Sequence, residues 1–101
     1  MLSKLFKKNV KNVSPARQAV RDREAAAKKA PGGSAANPIH VLTTSVIEIR
    51  AAATPCPQCG GELRVKSHEA PAPGMRRVDV RCQTCSVPRS LWYRLAPEES
   101  N

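Results

Sequence analysis

Apolar residues at Leu2, Leu5, Phe6, Val10 and Val13 recur at helical offsets, with Lys4, Lys7, Lys8 and Lys11 largely on the other faces. The pattern predicts a basic amphipathic helix. At about twelve residues it is near the length at which an isolated helix is marginal in water, so a partner or a membrane surface is expected to firm it. A second helix is predicted from Ser14 as N-cap and Pro15 at the first helical position, through the strong helix formers of Ala16 to Ala30. Its apolar positions are nearly all Ala, with Val20 the only larger one, so it is expected to project into solvent. Pro31-Gly-Gly-Ser-Ala-Ala-Asn-Pro38 then reads as a flexible linker.

Beyond the linker the period changes from helical to strand-like. Ile39, Val41, Thr43, Thr44, Val46, Ile47 and Ile49 are β-branched and predict a strand over that stretch. In Glu62-Leu-Arg-Val-Lys66 the alternation puts Leu63 and Val65 on one face. A polar, Pro-rich loop is expected from Ser67 to Gly74. Arg77-Val-Asp-Val-Arg81 alternates again with Val78 and Val80 inward, and Ser90-Leu-Trp-Tyr-Arg-Leu95 gives a last strand with Leu91, Tyr93 and Leu95 on one face. The expected fold is a small metal-stabilised β structure, a three- to four-stranded antiparallel sheet gathered at one end. Residues 1–37 form a basic, helical or disordered tail and linker, 38–96 the folded domain, and 97–101 an acidic end.

Composition explains why a staple is needed. The chain has 101 residues, and its 41% hydrophobic content leans on Ala, with Phe6, Trp92 and Tyr93 the only aromatics. One small core is the ceiling. Cores of this size seldom yield more than about 3–5 kcal/mol, whereas a structural zinc site contributes an apparent folding energy of about 10–16 kcal/mol. The net charge of +9 is uneven: residues 1–37 carry nine Lys/Arg against Asp22 and Glu24, a net +7, which leaves +2 for the rest. Attraction to phosphates, anionic lipids or an acidic protein is therefore expected to start in the tail. No apolar run approaches the ~20 residues of a membrane span, and lysines interrupt the start before a secretory h-region forms. A soluble, intracellular, cytoplasmic protein is the expectation.

The cysteines carry the chemistry. Cys56-x-x-Cys59 and Cys82-x-x-Cys85 are separated by 22 residues. Two residues between cysteines let one tight turn aim both sulfurs at a single ion, and two such turns complete the tetrahedron that Zn²⁺ accepts from thiolates. The spacer slightly exceeds the usual two-knuckle spacing, which a β-hairpin accounts for. Disulfides, redox-active dithiols and a rubredoxin-like iron site are the rivals; both iron and zinc accept four thiolates. Four thiolates leave no open position for a hydrolytic water, so no catalytic residue, no small-molecule substrate and no enzymatic activity are expected. His40 and His68 lie outside metal-pair spacing and have no evident acid or nucleophile partner.

Cys56-Pro-Gln-Cys-Gly-Gly61 strongly resembles the first knuckle of the zinc-ribbon family, where glycine after the second cysteine permits a positive φ. The resemblance spans roughly residues 42–96 and implies one structural Zn²⁺ on Cys56, Cys59, Cys82 and Cys85. Ser86 departs from the pattern, standing where Gly usually follows the fourth cysteine. The family's members serve as nucleic-acid or protein-contact modules, and the resemblance implies the same here. Nucleic-acid association is expected through Lys4, Lys7, Lys8 and Lys11 of the tail and Arg64, Lys66, Arg76, Arg77, Arg81 and Trp92 of the ribbon. A protein-protein adaptor, docking its N-terminal helix into a partner, is the alternative, and tethering of that helix to a membrane surface a further one.

Overall fold

The structure, a computed structural model, describes residues 14–97. The first helix, α1, spans Pro15–Lys29 and starts as its sequence dictates. Ser14 caps it, its hydroxyl accepting from the Arg17 amide at 3.2 Å, and Pro15 occupies the first turn. No residue of α1 is buried, yet the helix does not simply project into solvent. Polar contacts lay it against the domain: Arg89 Nη2 meets Glu24 Oε2 at 2.7 Å, and Gln58 Nε2 donates to Glu24 Oε2 at 2.7 Å and to the Val20 carbonyl at 2.9 Å. The Arg89 side chain is only 9% exposed, so its charge is neutralised where water scarcely reaches. The linker is likewise engaged: Gly32 N–H donates to the Asn37 carbonyl at 2.7 Å, and the Gly32 carbonyl accepts from Trp92 N–H at 2.8 Å.

The domain is a four-stranded sheet, β1 (Ile39–Val41), β2 (Leu63–Ala72), β3 (Met75–Cys82) and β4 (Pro88–Leu95), in the order β1-β4-β3-β2. β2, β3 and β4 form the antiparallel meander expected from their alternation. The expectation of a wholly antiparallel sheet is corrected: β1 pairs with β4 in parallel, Ile39 opposite Tyr93 and Val41 opposite Leu95. Parallel neighbours need a long crossover. Between β1 and its parallel neighbour β4 the chain passes through residues 42–62, which carry it from one edge of the sheet to the other, and then through the β2–β3 hairpin.

That crossover contains a 3₁₀ turn, Thr44–Val46, and a short helix, α2 (Ile47–Ala53), where a continuing strand was expected. The helix wins because Ile47 and Ala51, four apart, both reach the core at 0% exposure, while Ile49 is left 70% exposed. Glu48-Ile-Arg-Ala-Ala-Ala53 is moreover rich in helix formers. The expected loop from Ser67 to Gly74 is mostly strand. β2 continues to Ala72, with register shifts between Val65 and Ser67 and between Glu69 and Ala72, and the hairpin closes at Pro73-Gly74 with Gly74 at φ 75°. Pro71 is tolerated because β2 is an edge strand.

The core lies between the sheet and α2 and extends to the cysteines. Leu63, Val78, Val80, Leu91 and Tyr93 from the strands pack with Ile47 and Ala51, and Cys56 and Cys82 belong to the same cluster. Val65 and Leu95 are partly buried against it. The inward residues expected from the two-residue period are therefore those that form the core. Tyr93 is fully buried with its hydroxyl unpaired among the described residues, and burial raises its pKa. No described helix is long and apolar enough to cross a membrane.

Candidate metal centre

Each cysteine pair sits on a tight turn of the same construction. In the first, Cys56 N–H donates to the Gly61 carbonyl at 2.9 Å and Gly60 N–H returns to the Cys56 carbonyl at 2.7 Å. In the second, Cys82 N–H donates to the Val87 carbonyl at 3.1 Å and Ser86 N–H to the Cys82 carbonyl at 3.0 Å. The residue after the second cysteine is left-handed in both, Gly60 at φ 77° and Ser86 at φ 66°. Ser86 thus adopts the conformation that glycine takes at no steric cost. The turns are clasped together by Gln83 N–H donating to the Glu62 carbonyl at 2.9 Å.

The four sulfurs converge. All lie within 4.8 Å of one another, Cys59 Sγ 3.4 Å from Cys82 Sγ and Cys56 Sγ 3.7 Å from Cys85 Sγ. Four thiolates tetrahedrally bound at about 2.3 Å are separated by about 3.8 Å, so this donor set fits a tetrathiolate metal. Backbone amides aim at the sulfurs as at anions: Gln58 N–H to Cys56, Gly61 N–H to Cys59, and both Thr84 and Cys85 N–H to Cys82, at 3.3–3.4 Å. The Cys85 and Thr84 amides push the Cys82 thiol down to about 6. Cys59 accepts from Gly61, which favours its thiolate, but Cys82 beside it, desolvation and the other two sulfurs outweigh that donor and push it up to about 12. Four thiolates at this distance need a cation among them. All four cysteines are free, Cys56 and Cys82 in the core and Cys59 and Cys85 at the rim.

Gly61 faces the second turn with no room for a side chain. A Cβ there would meet Thr84 Oγ1 at 2.6 Å, Thr84 Cβ at 2.9 Å and Cys82 Sγ at 3.0 Å. Thr84 and Gly61 thus shape the site without contributing sulfur, and neither stands out in the sequence beyond the Gly60-Gly61 pair.

The contact residues expected on the folded domain divide between the two faces of the sheet. With Val78 and Val80 inward, Arg77, Asp79 and Arg81 point to the opposite, outer face. Arg64 lies directly across from Arg81, and Trp92 across from Arg77, whose guanidinium is 6.0 Å from the ring centroid. Lys66, at the β2 register shift, borders the same concavities as Arg81. Arg76 does not join them. It is on the Val78 face, with Nη1 3.4 Å from His68 Nε2, and His68 Nδ1 is 2.8 Å from Glu48 of α2. Arg89 is taken up by Glu24. Lys4, Lys7, Lys8 and Lys11, and the acidic residues of the 97–101 segment, lie outside the described residues.

The outer face also holds a polar row. Asp79 accepts from Ser67 Oγ at 2.8 Å and from Ser90 Oγ at 2.6 Å, and Arg77 Nε is 3.3 Å from it. These donors, the Ser90 hydroxyl foremost, hold its carboxyl below the usual range. No family model, curated protein or solved structure matches the chain.

Proposed function

We propose that the protein is a non-enzymatic zinc ribbon in which Cys56, Cys59, Cys82 and Cys85 hold one structural Zn²⁺, and that it associates with nucleic acid. The observation that carries this reading is the closed set of four convergent sulfurs, three of them supported by backbone amides, which leaves a metal no position for substrate water and makes it a staple. The stapled sheet then presents Arg64, Arg77, Arg81 and Trp92 on one face, and residues 1–37 of the same chain add a net charge of +7. Cations of this kind engage phosphates without reading sequence, and an indole face stacks on any base.

The test is binding of the full chain to labelled single-stranded and duplex oligonucleotides over a range of salt. Engagement of about six phosphates gives a slope of log K against log salt near −5, and converting Lys4, Lys7, Lys8 and Lys11 to Gln lowers it by about 3. No binding at low salt overturns the nucleic-acid reading. A protein adaptor is the second reading, favoured by Leu42 and Ile49, which stand 83% and 70% exposed on the crossover. Recovery of one stoichiometric protein partner that survives nuclease treatment supports it instead.

A further inference from the structure

Resting on that nucleic-acid reading, we infer that Arg64, Lys66 and Arg81 form a preorganised phosphate subsite at the cysteine end of the outer sheet face, the place where the ribbon itself grips a nucleic-acid backbone.

The first observation is a like-charge pair. Arg64 and Arg81 are direct cross-strand partners of β2 and β3, an arrangement that costs stability unless something else offsets it. Of the other arginines on the sheet, Arg77 lies by Glu69 and Asp79 and Arg89 by Glu24, whereas Arg76 and Arg94 also lack a carboxylate among the described residues but are not paired across strands with a second arginine. Among the described residues, no carboxylate reaches ion-pair distance of Arg64, Lys66 or Arg81. Asp79, in the neighbouring row, is already engaged by Ser67, Ser90 and Arg77.

The second observation is how the two guanidinium groups are fixed. Arg64 Nη2 donates to Gln83 Oε1 at 2.8 Å and Arg81 Nη1 to the Ser86 carbonyl at 3.1 Å. Both acceptors are neutral and both belong to the second cysteine turn. They set the heading of each fork without cancelling its charge and leave other N–H groups to donate. Immobilising the forks in advance reduces the ordering cost on binding, and planar forks match phosphate oxygens. The three cations, Gln83 and Ser86 line a concavity of about 260 Å³. Trp92 lies on the same face, four residues along the sheet from the Arg81 row. A chain bound at the cations can therefore lay a base toward the indole about 13 Å away.

A metal centre with four thiolates and one Zn²⁺ carries a formal charge of −2, which offers a competing role for the same arginines. The experiment separates the two. In the full chain, Arg64→Gln with Arg81→Gln is expected to reduce the salt slope of oligonucleotide binding by about 1.4 to 1.8, with zinc content and thermal midpoint retained, while Arg64→Lys with Arg81→Lys retains most of the slope. An unchanged slope in the Gln variant, against a wild type that binds, overturns the subsite and leaves the nucleic-acid reading standing. Loss of zinc affinity without a change in slope assigns the arginines to the metal centre and overturns it equally. A wild type that binds no oligonucleotide removes both.

Discussion

Gly61→Ala isolates the way the two cysteine turns meet. The added Cβ would lie 2.6 Å from Thr84 Oγ1, 2.9 Å from Thr84 Cβ and 3.0 Å from Cys82 Sγ, all on the opposite turn and one of them a sulfur of the cysteine cluster. Side chains in cores do not approach this closely, so the turns must separate, at the cost of about 1–3 kcal/mol typical of overpacking. Because the atoms forced apart are those that close the metal site, the cost appears as a loss of zinc affinity of about 5- to 150-fold. Competition against a chromophoric chelator reads this directly. Gly60→Ala is the control: nothing lies within 4 Å of its Cβ, but φ is +77°, so it incurs only the left-handed penalty of about 1–2 kcal/mol. Thr84→Ala removes the Oγ1 contact and is expected to restore part of the affinity lost by Gly61→Ala and none of that lost by Gly60→Ala. Wild-type affinity in Gly61→Ala, or equal effects of Thr84→Ala in both backgrounds, would refute the packing argument.

Three other substitutions follow from named features. Ser86→Gly relieves a φ of 66° while keeping the carbonyl that Arg81 uses, and after the entropy glycine brings to the unfolded chain a net gain of about 0.5–1 kcal/mol is expected in zinc-saturated thermal unfolding; a lowered midpoint contradicts it. Tyr93→Phe deletes a buried hydroxyl without a partner among the described residues, so stability should be unchanged or rise by about 1 kcal/mol, whereas a loss beyond that means the hydroxyl is bonded. Asp79 has its pKa depressed in the folded state, so its contribution is full above its unfolded value and is lost as pH falls through the folded one. In excess zinc, Asp79→Asn should therefore lower stability at pH 7, above the acid range in which the thiolates protonate and release the metal, and an unchanged midpoint at pH 7 sinks the assignment.

The parts of this molecule that were legible in its sequence are those fixed by local period and spacing. Leu63, Val65, Val78, Val80, Leu91, Tyr93 and Leu95 alternate, and a sheet with one buried face has to place them together. The cysteine pairs announce their turns because two intervening residues leave the chain little choice. α2 was hidden by β-branched residues, whose composition outweighed the Ile47–Ala51 spacing that burial rewards. The parallel pairing of β1 follows from that missed crossover. Arg76 was readable in principle, since the alternation that turns Val78 inward carries Arg76 with it. The anchoring of α1 was not, because Glu24 and Arg89 are 65 positions apart and neither bears a local mark of the other. In the sequence Ser86 stands out only as a departure from glycine; the identical hydrogen bonding of the two turns explains why the backbone imposes a positive φ there.

The most direct measurement is the metal content of the purified, reduced chain by mass spectrometry, paired with circular dichroism before and after a strong chelator. One zinc per chain, with the β signal lost on chelation and restored by added zinc, is the expected result. A chain that carries no stoichiometric metal and keeps its sheet in the chelator contradicts the central claim, because its cohesion then comes from the small apolar core alone.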